Sequence, residues 1–123
     1  MAGLGQLERK VMDVLWDSMD EPLTGRQVAD RLPDRAYTTV LTILERLRHK
    51  HLVERTAAGK VHRFAAVASR ETYMAELMVE ALGSARDRSA VLVRFAETVS
   101  AREASVLREA LEALSEGSDG SST

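Results

Sequence analysis

The sequence predicts a mostly α-helical protein with a small β wing, in which a winged helix-turn-helix is followed by a three-helix region. The first observation is a pair of helical patterns separated by a short turn, with a polar and basic face on the second helix of the pair. The second is a pair of alternating segments joined by a glycine-containing turn, which predicts a β-hairpin. The third is a run of three more helical patterns before a polar tail. The predicted elements occupy residues 4–16, 24–32, 36–51, 52–56, 61–66, 69–83, 87–98 and 100–114.

The first helix is predicted from apolar residues that recur at helical spacing and define one buried face. They are Leu7, Val11, Val14 and Leu15. A polar segment follows and ends this helix. We therefore expect the helix to pack against a core with one face and to leave the other in solvent.

The second helix is predicted to begin at Thr24, because the segment Thr24-Gly25-Arg26-Gln27 has the form of a capping box. In such a box the side chains of the first and fourth residues each satisfy a free backbone amide. Pro33-Asp34 ends the helix and starts a turn. Because the next helix follows after only a few residues, the two are predicted to form a helix-turn-helix.

The third helix, over residues 36–51, carries the surface on which the functional argument depends. Its apolar stripe consists of Val40, Ile43, Leu44 and Leu47. Thr39, Thr42 and Arg46 share a different face, and small hydrogen-bond donors followed by arginine suit a helix that reaches base edges in the DNA major groove. An ordinary solvated amphipathic helix would show the same pattern, so both interpretations stay open on this stretch alone. His51, the last residue of this stretch, is at the helix-ending position where a left-handed backbone is common.

The hairpin is predicted from residues 52–56 and 61–66, with the turn over 57–60. Its charged and titratable side chains are nearly all of one sign. The basic residues and the histidine are Arg55, Lys60, His62 and Arg63. Exposed hairpins carry charge in any case to keep their edges from pairing, but a single sign favours contact with phosphate.

The last three predicted helices have too few residues to bury their apolar faces alone. They could pack against a second copy of the chain or back on the winged helix. We favour a homodimer, because the helix over 87–98 is apolar on nearly every side and needs more than one partner. The residues predicted to form the dimer interface are Leu77, Met78, Val91, Leu92, Phe95, Val99, Leu107, Leu111 and Leu114.

These assignments divide the chain into three parts. Residues 1–67 form the predicted winged-helix DNA-binding domain and residues 68–116 the helical dimerisation domain. The composition of residues 117–123, GSDGSST, predicts a disordered tail.

The charge is unevenly distributed along the chain. The formal net charge is −2, which argues weakly against nucleic acid binding. However, residues 1–66 carry 11 Lys and Arg against 9 Asp and Glu, whereas residues 67–123 carry 6 against 10. Between Arg35 and Arg63 there are seven basic residues and two acidic ones. Such a locally basic surface on an acidic protein is typical of a phosphate-binding region.

Several classes of site are excluded or disfavoured by the composition. The chain has no cysteine, which excludes disulfides, thiolate metal sites and cysteine nucleophiles. His49 and His51 project about 200° apart around a helix axis, which is poor geometry for one metal ion. We find no phosphate-binding glycine loop and no hydrolase or protease motif, so we expect no metal, no cofactor and no enzyme activity. No signal peptide or apolar membrane segment is apparent, so we expect a cytoplasmic protein.

With these elements placed, three segments stand out as a set. They are Leu4-x-x-Leu7-Glu8-x-x-Val11-Met12-x-x-Leu15-Trp16, Tyr37-Thr38-Thr39-Val40-x-Thr42-x-Leu44-x-Arg46-Leu47-x-x-Lys50 and Gly59-Lys60-x-x-x-Phe64. Their order is more specific than any one of them. In these segments the chain up to the tail resembles the penicillinase-repressor family of BlaI/MecI-type winged-helix regulators.

The resemblance implies a homodimeric repressor that binds a palindromic operator in double-stranded DNA, of β-lactam-resistance or related genes. The residues that it implies for base and backbone contacts on the recognition helix are Tyr37, Thr38, Thr39, Thr42 and Arg46. Those that it implies for phosphate contacts are Thr24, Lys60 and Arg63.

The resemblance also implies a mechanism of release. In the family, a membrane-bound β-lactam sensor leads to cleavage of the repressor in its dimerisation half. The scissile Asn-Phe bond aligns with Arg94-Phe95, so this chain has Arg in place of the family's Asn. It also has His51 where the family usually has Gly and Ala66 where it usually has Pro.

Two other functions are compatible with a winged helix. One is a protein-interaction module, which would expose apolar residues on the third helix, where this chain has threonines and arginines. The other is a regulator released by a small-molecule ligand. Its pocket would be lined by Tyr73, Met74, Met78 and Phe95, although such a stripe more often forms a dimer core.

Overall fold

The computed structural model describes residues 4–119, and within them the chain forms six helices and three strands. The elements are α1 (Gln6–Trp16), β1 (Leu23–Thr24), α2 (Gly25–Asp30), α3 (Tyr37–His49), β2 (Val53–Ala58), β3 (Val61–Ala66), α4 (Arg70–Gly83), α5 (Arg88–Thr98) and α6 (Ala101–Asp119). The predicted fold class, mostly helical with a small β wing, is confirmed.

The chain divides into two compact units, Met1–Glu80 and Ala81–Thr123. The first unit extends into α4, beyond residue 67, because Tyr73 belongs to its core. The Tyr73 side chain is buried, and its ring centroid lies 5.4 Å from that of Trp16 on α1. Tyr73 is therefore a core residue of the first unit. Dimerisation through residues 68–116 stays a prediction.

The core of the first unit is built from the apolar faces of α1, α2 and α3 and the inner face of the sheet. Its largest fully buried side chains are Met12, Leu15, Leu44, Leu47, Val11, Val28 and Val40. The predicted apolar stripe of the third helix is thus confirmed. Burial of apolar surface stabilises a fold by roughly 25 cal/mol per Å². This buried cluster therefore holds α3 in place.

The helix-turn-helix begins where the capping box was predicted. The Thr24 hydroxyl accepts a hydrogen bond from the Gln27 amide at 3.1 Å, and the Gln27 side chain accepts from the Thr24 amide at 2.8 Å. Gly25, the next residue, lies close to α3: a Cβ at this position would lie 2.6 Å from Cδ2 of Leu41 on that helix. A side chain at this position would therefore require the Leu41 side chain to shift.

The wing is an antiparallel sheet with strand order β1-β3-β2. The hairpin is confirmed, but its turn is shorter than the predicted one: β2 continues through Ala58, and only Gly59 and Lys60 connect it to β3. Gly59 has a φ of 67°, the left-handed conformation that a two-residue hairpin turn requires. The short strand β1 was not predicted. It pairs with β3 through Leu23 opposite Phe64 and Thr24 opposite Arg63.

The end of α3 confirms the left-handed backbone expected at His51, where φ is 65°. The Leu52 amide donates to the Leu47 carbonyl at 3.0 Å across this residue, which closes the helix in a Schellman arrangement. The chain then turns directly into β2, so α3 and the wing are joined by only a few residues.

The second unit comprises the end of α4 together with α5 and α6. Asp87 caps α5 by accepting from the Ala90 amide at 3.1 Å. The predicted capping box at the start of α6 is present, with Ser100 and Glu103 each accepting from the other's backbone amide. α6 runs to Asp119, so residues 117–119 are helical rather than part of the predicted disordered tail, and residues 120–123 lie outside the described part of the chain.

Most of the residues predicted for the dimer interface are exposed in the single chain. Met78, Val91, Leu92, Phe95, Leu107, Leu111 and Leu114 are exposed, whereas Leu77 and Val99 are half-buried. Leu77 packs in part against the core of the first unit. Among residues 4–119, no helix combines the length and the apolar character that crossing a membrane demands.

Candidate nucleic-acid interface

The outward face of α3 lies opposite its buried stripe and is lined by Thr38, Thr42, Glu45 and His49, which recur at helical spacing. Thr42 and Thr38 are linked, since the Thr42 hydroxyl donates to the Thr38 carbonyl at 3.0 Å. Because its proton is used inside the helix, the Thr42 side chain presents only its methyl group and oxygen lone pairs to a ligand.

Thr39 and Arg46 lie on the flank of this outward face, seven residues apart and both exposed. Arg46 forms no ion pair with any residue in the described range. The Arg46 charge helps to lower the pKa of the Glu8 carboxyl, but no ion-pair contact holds its guanidinium. The guanidinium can therefore make two parallel hydrogen bonds to a base or a phosphate.

The other cations at the end of α3 are engaged within the protein. Glu45 holds two of them: its Oε1 accepts from Arg48 at 2.9 Å and its Oε2 accepts from Arg55 of β2 at 3.2 Å. The Arg48 hydrogen bond is the main cause that lowers the pKa of the Glu45 carboxyl, so it is charged at neutral pH. The basic cluster read from the sequence is therefore less available than its count suggests.

Lys50 is the third engaged cation, and it ties the end of α3 to the start of α1. Its Nζ lies 2.9 Å and 3.1 Å from the two carboxylate oxygens of Glu8, a side chain that is only 8% exposed. Burial by itself raises the pKa of Glu8, but the hydrogen bond from the Gly5 amide and the Lys50 ammonium outweigh it, so the pKa is lowered. This pair fixes α3 against α1.

At the other end of α3, Arg26 of α2 stacks over the Tyr37 ring with its guanidinium carbon 4.0 Å from the ring centroid. Arg26 is exposed and Tyr37 is half-buried. The stack holds a cation beside the first turn of α3, where the predicted DNA contacts begin. Both residues line an open concavity between α3 and the wing. Its other lining residues are Thr24, Gly25, Leu41, Glu45, Arg55, Lys60, Val61, His62 and Phe64.

The predicted phosphate contacts of the wing differ in their freedom. Lys60 occupies the hairpin turn, is exposed, and has no acidic partner among the described residues. Arg63 is half-buried, and its Nη1 lies 3.5 Å from the Pro22 carbonyl oxygen. The Thr24 oxygen already accepts a bond in the capping box, which leaves its proton free to be donated.

Sequence reasoning missed Arg26 and Glu45. Arg26 lies inside the capping-box segment and was treated only as a part of that box, while its stacking partner Tyr37 lies on the next helix. Glu45 follows Thr42 by three residues and Thr38 by seven, so helical spacing alone places it on the outward face. Its ion pair with Arg55 joins two elements and leaves no local pattern in the sequence.

The predicted cleavage position lies inside a helix. Arg94 and Phe95 are in the middle of α5, both exposed, and Arg94 Nη1 lies 3.5 Å from a Glu97 carboxylate oxygen. No group of three or more potential metal-ligating side chains occurs within residues 4–119.

A protein-family profile matches most of the chain. The profile of the family described as "Penicillinase repressor" matches residues 4–113. The chain is 50% identical over 120 residues to the "Transcriptional regulator BlaI" of Mycobacterium tuberculosis, in strain CDC 1551 / Oshkosh and in strain ATCC 25618 / H37Rv. In both cases the match covers 93% of this chain and 86% of the relative.

Solved structures share the fold at low sequence identity. A mutant of Staphylococcus aureus MepR bound to an oligodeoxyribonucleotide is 14% identical, with a TM-score of 0.53 over 93% of this chain and 79% of that one. The Streptomyces coelicolor regulator PcaV, in complex with its natural ligand, is 16% identical, with a TM-score of 0.50 over 94% and 77% of the two chains. A MarR family protein from Bacillus stearothermophilus is 18% identical, with a TM-score of 0.50 over 93% and 74%.

Proposed function

The chain belongs to the penicillinase repressor family of winged-helix, DNA-binding transcriptional regulators, and from that premise we propose that it represses transcription as a homodimer on a palindromic operator. The family consists of transcriptional regulators rather than enzymes, and this chain is a regulator as well. Genes of β-lactam resistance are the first candidates for its operators, since the M. tuberculosis relatives carry the name BlaI.

The observation that carries this proposal is the exposed guanidinium of Arg46, which forms no ion pair among the described residues, beside the threonine face of α3. In the proposed complex α3 lies in the major groove, where Arg46 bonds to a guanine edge or a phosphate and the methyl group of Thr42 contacts a thymine. Tyr37, Thr38 and Thr39 contact bases or backbone around the first turn. Thr24, Lys60 and Arg63 donate to phosphates on either side and set the register of the protein on the duplex.

The exposed apolar side chains of α5 and α6 support the homodimer. Large contiguous apolar surfaces are uncommon on monomers, and two copies related by a twofold axis would cover them together. A twofold dimer presents its recognition helices to half-sites about one helical turn apart, which predicts an inverted repeat in the DNA.

Release is proposed to follow cleavage in the dimerisation region at Arg94-Phe95, by a membrane sensor and protease system. The bond lies within α5, so cleavage requires this helix to open locally, because proteases bind extended backbone. Loss of α5 would separate the two DNA-binding units, and each unit alone would hold DNA more weakly than the linked pair.

Selection of DNA fragments from the source genome at a stated salt concentration tests the proposal, followed by footprinting on the selected fragments. We expect a protected inverted repeat upstream of a transcribed gene. Absence of any protected repeat at moderate salt would contradict the operator, and a monomeric DNA-bound form in sedimentation would contradict the dimer.

A further inference from the structure

Glu45 places a negative charge on the face of α3 that the proposed function turns toward DNA. It follows Thr38 and Thr42 at helical spacing and is 39% exposed. A carboxylate at such a position repels phosphate and would weaken binding unless it has another task. Its two oxygens are each occupied by a different arginine, one on α3 and one on the wing.

We propose that Glu45 is a specificity-determining residue that suppresses non-specific DNA binding by holding Arg48 and Arg55 away from phosphates. With the carboxylate in place, the three side chains carry one net positive charge, and both guanidinium groups have a fixed partner. Without it, two arginines beside the proposed DNA surface would be free to contact phosphates of any sequence.

The same ion pairs act on geometry. Arg55 Nη1 lies 3.2 Å from Glu45 Oε2, which links β2 to the outward side of α3. This link fixes the position of the wing relative to the recognition helix. With the base of the wing held against α3, its phosphate contacts form most readily when α3 sits at one depth in the groove, so the link favours the specific register over others.

The cations that Glu45 does not hold are consistent with this role. Arg46 and Lys60 form no ion pair among the residues described, although the Arg46 charge acts on Glu8; one lies on α3 and the other at the tip of the wing. Together with Arg63, they are charges that remain available to DNA, while Arg48 and Arg55 are retained as supports. The inference rests on the proposed DNA-binding function but concerns how that surface discriminates between sequences.

The test is E45Q in the full chain, with E54Q as the matched control. Glu54 lies on β2, is exposed, and forms no ion pair within the described residues, so both variants change the net charge equally. Affinity for a random-sequence duplex is measured as a function of salt. For E45Q we expect tighter binding by about five- to tenfold near 0.1 M salt and a slope steeper by about 1–2 in log K against log salt, since each new phosphate contact adds about 0.9.

For E54Q we expect less than a twofold change and the same slope as the wild type. In an Arg48→Met/Arg55→Met background, E45Q should lose its effect, because the released cations are absent. Equal gains in E45Q and E54Q would overturn the inference by assigning the effect to net charge. Unchanged random-duplex binding in E45Q, with lost preference for cytosine at one operator position, would overturn it in favour of direct base reading by the carboxylate.

Random-duplex binding also separates this inference from the proposed function. If the wild-type chain selects no sequence from the genome, the operator proposal fails, yet the salt slopes of E45Q and E54Q still decide the role of Glu45. If an operator is found and E45Q behaves as the wild type on both duplexes, only the inference fails. Thermal unfolding of each variant verifies that the exposed substitution leaves the fold intact.

Discussion

Replacing Lys50 by Met should destabilise the first unit by about 2 kcal/mol at neutral pH, a value between those of exposed and buried ion pairs. Exposed pairs contribute about 0.2–1 kcal/mol, and breaking a buried pair costs about 3–5 kcal/mol. Here Glu8 is 8% exposed but Lys50 is 36% exposed, so the lysine is partly solvated and the cost is intermediate. Methionine keeps an apolar stem of similar length, so the loss reports chiefly on the charge.

The matched control is Arg48→Met, on the same helix. Arg48 and Lys50 each lie 2.9 Å from a carboxylate oxygen, but the partner of Arg48 is 39% exposed and also bonds to Arg55. We expect this control to lose less than about 0.5 kcal/mol, as exposed helical pairs do. The comparison tests whether burial of the partner carboxylate, rather than the distance between nitrogen and oxygen, sets the loss in free energy of unfolding.

The pH dependence gives a second signature of the same pair. The pKa of Glu8 is lowered in the folded protein, so its stabilising contribution is full above the unfolded pKa and disappears as the pH falls through the folded value. The unfolded pKa of a glutamate is about 4.3. The difference between wild type and Lys50→Met should therefore be constant near neutral pH and should narrow below about pH 4.

Urea unfolding followed by the fluorescence of Trp16 measures both effects, since Trp16 is the single tryptophan and is buried in the same unit. Samples are compared at one protein concentration, because the proposed dimer would make apparent stability depend on it. Equal losses of unfolding free energy in Lys50→Met and Arg48→Met would refute the reasoning. So would a difference between wild type and Lys50→Met that stays constant below about pH 4.

The remaining predictions concern DNA and assembly. Arg46→Ala should weaken binding to the selected operator by about 1–3 kcal/mol and relax the preference at one base pair, measured by titration of single-base operator variants; an unchanged preference would contradict base reading. Lys60→Ala should weaken binding equally on all duplexes and reduce the salt slope by about 1 per wing, measured by affinity at several salt concentrations; a sequence-dependent loss would contradict a phosphate contact. Leu111→Glu, at an exposed apolar position of α6, should shift the dimer toward monomer in sedimentation, whereas Glu112→Gln should not; unchanged assembly of Leu111→Glu would exclude this face from the interface.

Features that depend on neighbouring residues could be predicted from the sequence. The boxes at Thr24 and Ser100 each require only a residue three positions further on, and the stripe on α3 follows from helical periodicity. The left-handed His51 was expected for the same reason, because it follows directly from where the helix ends.

Features that join distant segments could not be predicted in this way. The strand β1 is two residues long and exists only because β3 supplies its partner. The candidate site shows the same limit. The positions of the threonines and of Arg46 follow from spacing, but the engagement of Arg48 and Arg55 by Glu45 depends on how β2 returns beside α3. A count of basic residues therefore overstated the number of cations available to DNA.

The brevity of β1 has a mechanical consequence for the wing. Leu23 and Thr24 support β3 only at Phe64 and Arg63, so the part of the hairpin beyond them is a two-stranded ribbon anchored at its base alone. Isolated ribbons of two strands are marginally stable, and amide hydrogens at the tip should exchange with solvent sooner than those near the base. The outermost lysine thus lies on the least supported part of the wing, whereas the Glu45–Arg55 ion pair holds the base of the wing against α3.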